Sequence, residues 1–171
     1  MKVINLFGSP GTGKSTTAAG LFFLMKTAQY NVELITEYPK ELVWQERHKT
    51  FHDQYYLSAK QNHRQEVLRG KVDYVITDSP LLLSLIYVPK DYYKQFKPII
   101  REIFDSYENI NIFLKRLKPY NPLGRNQNEE ESNEVAIQIK EMLSVEQIPH
   151  IELEANNDAP KRIFEALNGG L

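Results

Sequence analysis

Near the start of the chain, Gly8-Ser9-Pro10-Gly11-Thr12-Gly13-Lys14-Ser15-Thr16 combines backbone freedom, an ammonium group and hydroxyls in the pattern G-x-x-x-x-G-K-[ST]. Glycines let main-chain N–H groups converge on an anion, and a helix beginning at Lys14 adds the positive end of its dipole at the same point. These are the requirements for holding the phosphates of a nucleoside triphosphate such as ATP. Lys14 then reaches the terminal phosphates and the Ser15 hydroxyl ligates Mg²⁺. The context is the required one, since the apolar run Val3-Ile4-Asn5-Leu6 precedes the loop and a helical stretch follows it.

Two carboxylates stand where such a loop could use them. Asp78 ends the apolar run 72–77, the position of a second Mg²⁺-holding or catalytic acid, although Asp78-Ser79-Pro80 also reads as a cap for the next helix. Glu37 follows the run 32–36, where a carboxylate opposite the phosphates could act as general base toward a substrate hydroxyl. Tyr38 and Trp44, in the charged and aromatic stretch 37–47, could line the pocket or cover the sheet edge. A helix over 51–68 would carry Gln54, Ser58, Gln61 and Gln65 on one side with Arg64 close by. Such a face can hydrogen-bond a base edge or sugar, and it also fits a plain solvated surface.

The polar connection "KRLKPYNPLGRNQNEEESN", residues 115–133, brings Arg116 and Arg125 with Lys115 and Lys118. Long connections in compact domains are commonly functional, and a mobile arginine-bearing lid closing over a transferring phosphoryl group would be one such use. His48 and His52 lie four apart, but no third ligand accompanies them, so zinc is not expected.

The elements that must position these groups follow from periodicity. Short β-branched or apolar runs at 2–7, 32–36, 72–77, 110–114 and 150–153 predict five mostly buried strands. Helical patterns at 14–29, 92–104 and around Val135, Ile139, Met142 and Leu143 separate or follow them, with Ile163, Ala166 and Leu167 closing the chain. Pro98 must begin or kink the helix over 92–104, whose apolar face suits either the core or a homodimer interface. The alternation predicts an α/β fold of three layers, a five-stranded parallel sheet with helices on both faces, in one domain over 1–171. In an open parallel sheet the carboxyl ends of the strands face the ligand crevice, which places Glu37 and Asp78 there with the phosphate loop.

Composition narrows the class further. The 171 residues carry 21 Lys and Arg against 22 Asp and Glu, a net charge of −1, which disfavours a surface committed to nucleic acid or to an anionic membrane. Cysteine is absent, which excludes disulfides and thiolate metal sites, and no apolar run of membrane-spanning length or signal-like start is seen, so the cytoplasm is the expected compartment.

The chain resembles the P-loop kinases of the nucleoside and nucleotide monophosphate kinase group. The loop at 8–15 names only the superfamily, whereas "ITEYPKELVW", "FHDQYY" with Gln61 and Arg64, and "KRLKPYNPLGRNQNEEES" resemble segments of deoxynucleoside kinases. That resemblance implies Glu37 as base, Gln54 as contact to the acceptor's base, and Arg116 and Arg125 as lid arginines. Asp78-Ser79-Pro80 departs from the Glu-Arg-Ser of those enzymes and is closer to nicotinamide riboside kinases and to small P-loop kinases of mobile genetic elements. The expected activity is transfer of the γ-phosphoryl of ATP, with Mg²⁺, to a nucleoside or nucleotide-type small molecule. An ATPase switch acting on a protein partner, and a kinase of a nucleic-acid end or modified base, are the rival readings. No N-K-x-D motif for a GTPase is present.

Overall fold

The computed structural model describes residues 1–123 and 127–169. Five strands, β1 (Lys2–Phe7), β2 (Val32–Ile35), β3 (Tyr74–Thr77), β4 (Glu108–Lys115) and β5 (Ile151–Glu154), form one parallel sheet in the order β2-β3-β1-β4-β5. Helices α1 (Lys14–Thr27), α2 (Tyr38–Trp44), α3 (Gln54–Glu66), α4 (Ser84–Tyr87), α5 (Phe96–Asp105), α6 (Glu129–Val145) and α7 (Ala159–Gly169) surround it. No described helix is long and apolar enough to cross a membrane.

Side chains alternate across the pleat, so each central strand feeds two cores. Val3 and Phe7 of β1, Val75 and Phe113 join α5 and α6 on one face. Ile4 and Leu6, with Ile76, Ile112 and Leu114, join α1 and α7 on the other. Asn5 breaks the apolar run without an unpaired amide, because its Nδ2 donates to Asn109 Oδ1 at 2.8 Å and to Asn111 Oδ1 at 3.0 Å. β5, at the sheet edge, alternates half-buried and exposed residues, where sequence alone predicts a mostly buried strand.

Several element boundaries differ from the periodicity for local reasons. α1 ends at Thr27 and not Gln29, because Gln29 takes φ 64° and Tyr30 N–H closes back on Met25 O at 3.0 Å. The helix expected over 51–68 is interrupted at Asp53, whose carboxylate caps Tyr56 N–H at 3.0 Å and starts α3. α5 begins at Phe96, which places Pro98 in the first turn where its missing N–H costs nothing. Phe96, Ile100 and Phe104 of that helix are buried in the core, while Ile99 is exposed. β3 starts at Tyr74 because Asp73 and Tyr74 N–H both donate to Asn31 O. The charged and aromatic stretch 37–47, to which no element is assigned from the sequence, contains α2, with Pro39 in its first turn.

Candidate active site

β1 delivers the chain into the phosphate loop, and α1 starts at Lys14 immediately after Gly13 in a left-handed conformation, φ 108°, that a side chain would strain. Ser9 and Thr12 are buried and face each other, Oγ to Oγ1 at 3.2 Å, giving the loop an internal brace. Lys14 Nζ lies across the loop on Gly8 O at 2.7 Å and Ser9 O at 3.1 Å. Both carbonyls accept from an ammonium that a phosphate would compete for.

A cavity of about 720 Å³ opens from this loop, within the range of small-molecule sites. Pro10, Gly11, Gly13, Lys14, Ser15 and Thr16 line it, whereas Gly8, Ser9 and Thr12 of the same loop do not. Glu37, at the end of β2, and Asp78, at the end of β3, line the same cavity, as the crevice rule for parallel sheets requires. From α3, Gln54, Ser58 and Gln61 also face it, so the polar stripe of that helix is buried rather than solvated. Gln65, one turn further, is buried away from the cavity, and its Nε2 has no partner among the described residues.

Asp78 is 2% exposed, and its Oδ1 has no hydrogen-bond partner among the described residues. The short helical turn that follows starts after Pro80, so Asp78 caps nothing. A buried carboxylate oxygen with no donor, in the same wall as the Ser15 hydroxyl, fits a hydrated divalent cation such as Mg²⁺.

Other expected site residues act on the frame. Gln61 accepts from Tyr38 N–H at 3.1 Å and donates to the Thr77 hydroxyl at 3.4 Å, which engages both ends of its amide. Arg64 donates to Thr36 O at 3.1 Å, pairs with Glu41, and stacks 5.1 Å from the Tyr38 ring. Tyr38 lies off the cavity wall, with its hydroxyl 2.9 Å from that of Tyr56. Gln54 donates to Phe51 O at 2.8 Å. Arg116 is not in the wall: its Nη2 donates to Glu129 at 3.1 Å and to Asn133 at 2.5 Å, while its Nη1 is buried without a partner among the described residues. Leu123 and Gln127 line the cavity, and Arg125 lies outside the described residues. Trp44 is largely exposed beside a smaller recess shared with Ser15, Glu37 and Asp78.

Tyr87 lines the cavity, although nothing in the sequence pattern singled it out. Desolvation of its hydroxyl, and then the charge of Glu37, push its phenol well above the usual range. Tyr87 therefore faces the cavity as a protonated O–H donor across the ordinary pH range.

Against known proteins, a family described as an AAA domain matches residues 3–162. The chain belongs to that family. Among solved structures, NadR in complex with NAD and AMP-PNP superposes with a TM-score of 0.71 at 16% identity, over 99% of this chain and 50% of NadR. NadR in complex with NR gives 0.71 at 19% identity, over 96% of this chain and 51% of NadR. The chain thus spans about half the length of those NadR structures. Deoxyadenosine kinase from M. mycoides with its products dCMP and dCDP gives 0.66 at 20% identity, over 99% of this chain and 100% of the kinase. A comparison with curated proteins finds no match. At these identities the likeness is one of fold: the AAA-domain chain has the five-stranded P-loop architecture that NadR and deoxyadenosine kinase share.

Proposed function

We propose that this chain transfers the γ-phosphoryl of ATP, with Mg²⁺, to a hydroxyl or phosphate of a nucleoside-type small molecule. The observation that carries the reading is one cavity lined by Lys14 and Ser15 of the phosphate loop, by Glu37 and Asp78, and by the glutamine face of α3. A hydrolytic switch needs only the first half of that arrangement. The fold shared with NadR and deoxyadenosine kinase supports the same direction.

In this reading the loop amides and Lys14 hold the triphosphate, and Ser15 and Asp78 hold Mg²⁺. That cation, held by Ser15 and Asp78, would supply neutralisation of the negative charge on the transferring phosphates. With a hydroxyl acceptor, the acceptor oxygen bonds to the γ-phosphorus, the bond from that phosphorus to the bridging oxygen breaks, ADP leaves, and Glu37 takes the hydroxyl proton. With a phosphate acceptor Glu37 has no proton to remove. Gln54 and Ser58 orient the acceptor, and Gln61 with Arg64 hold the Glu37 segment in place. Arg116 and Arg125 add positive charge around the transferring group; Arg116 would have to leave Glu129 and Asn133 to do so.

The test is ADP release with ATP and Mg²⁺ against a panel of nucleosides, nucleoside monophosphates, nicotinamide riboside and short DNA. Release that depends on one of the small acceptors supports the proposal. Hydrolysis indifferent to acceptor overturns it, and release dependent only on DNA moves the acceptor to nucleic acid.

A further inference from the structure

Ser132, in the first turn of α6, is fully buried. Its hydroxyl donates to Pro10 O at 2.7 Å and shares a second hydrogen bond with Ser9 Oγ at 3.1 Å. A helix separated from the phosphate loop by more than a hundred residues of chain thus grips that loop at two successive positions. The same turn holds Glu129 and Asn133, the two acceptors of Arg116 Nη2. Its own start is fixed by a reciprocal cap, Asn128 accepting from Glu131 N–H at 2.9 Å and Glu131 accepting from Asn128 N–H at 2.8 Å.

We propose that Ser132 is a positioning residue for the phosphate loop, and that it acts as one unit with the Arg116-holding residues of the same turn. The inference rests on the reading above that the loop binds a triphosphate. The physical step is peptide planarity. A carbonyl and the N–H of the next residue point in opposite directions across one trans peptide. Pro10 O is drawn to Ser132, so the Gly11 N–H is turned away from Ser132, and both Pro10 and Gly11 line the cavity. Without the hydroxyl, the Pro10–Gly11 peptide is free to rotate, and the amide must be reoriented at the moment a phosphate binds. Because Glu129, Ser132 and Asn133 share one helical turn, a shift of that turn moves the loop contact and the Arg116 contact together. Occupancy of the loop and placement of Arg116 are therefore energetically linked.

The test is calorimetric titration of the full chain with ATP and Mg²⁺, in parallel with thermal melting of the ligand-free protein. S132A should weaken ATP binding about tenfold, the scale of one lost orienting hydrogen bond, and S132C, whose thiol is a weak donor, should fall between the two. N133A, on the exposed side of the turn, removes one of the two acceptors that Arg116 would have to leave and should change binding by a smaller factor. The double variant should depart from the product of the single effects by at least about threefold. A residue that only stabilises the fold would lower the melting temperature and leave affinity in the folded protein unchanged. Binding within twofold of wild type in S132A, or strictly multiplicative single effects, overturns the proposal. Wild-type protein that binds no ATP overturns the phosphotransferase reading together with it.

Discussion

The backbone N–H of Tyr38 donates to the side-chain carbonyl of Gln61 at 3.1 Å. Through the other end of that amide, 3.4 Å from the Thr77 hydroxyl, the peptide just after Glu37 is fastened to the residue just before Asp78. The two carboxylates that the proposed reaction needs are thus held in register by one buried glutamine. Gln61→Leu should lower kcat by tenfold or more, with ATP affinity changed by about threefold at most. Steady-state kinetics against each substrate, with direct ATP titration, check the split. A large loss of ATP affinity with kcat intact would contradict the role.

Asp78 is the clearest local conflict between stability and function, a buried carboxylate oxygen without a donor. Asp78→Ala removes that oxygen. The melting temperature of the ligand-free protein should hold or rise, while Mg²⁺-dependent turnover should fall by about a hundredfold or more. Loss of stability alongside loss of turnover would mean that Asp78 serves the fold.

For Tyr87, the phenol pushed upward by desolvation and by Glu37 stays an O–H donor throughout the assay range. Tyr87→Phe should raise the acceptor KM severalfold and leave the ATP KM and the pH profile below about pH 9 unchanged. An altered ATP KM with an unchanged acceptor KM would place the hydroxyl on the donor side.

Lys115 at the end of β4 and Lys140 of α6 both reach Glu152 of β5, at 2.5 and 2.8 Å. Their hydrogen bonds hold its carboxyl down at about 2. A depressed folded-state pKa contributes stability that is complete above the unfolded value near 4.5 and is lost as pH falls toward about 2. Glu152→Gln should therefore destabilise by about 1 kcal/mol at pH 7, a figure reduced for solvent screening. The gap between variant and wild type in chemical denaturation should close as pH drops from about 4.5 toward about 2. A gap that widens in acid would contradict the pairing.

Much of the frame is legible in the sequence because it is local. The β1, phosphate loop and α1 unit needs only an apolar run, glycines and a helical stripe, and β1 falls on the residues the pattern indicates. α2 escaped because seven residues with an early proline make no measurable period. The α3 boundary escaped because a polar stripe from Gln54 to Gln65 does not say where the helix begins, which the Asp53 cap decides. On the acceptor side, the pattern placed Gln54, Ser58, Gln61 and Gln65 on one face. Which of them meets the cavity, and which is spent on Tyr38 and Thr77, depends on contacts across the fold. Ser132 and Tyr87 carry no periodic signature; only tertiary proximity singles them out.

The most direct measurement follows the label from [γ-³²P]ATP in the presence of Mg²⁺ and the panel of nucleosides, nucleotides and nicotinamide riboside. Label recovered on one of these acceptors, in amounts equal to the ADP formed and nearly abolished by Glu37→Gln when the acceptor is a hydroxyl, is the predicted result. Label recovered only as inorganic phosphate, whatever acceptor is supplied, would contradict phosphoryl transfer to a small molecule.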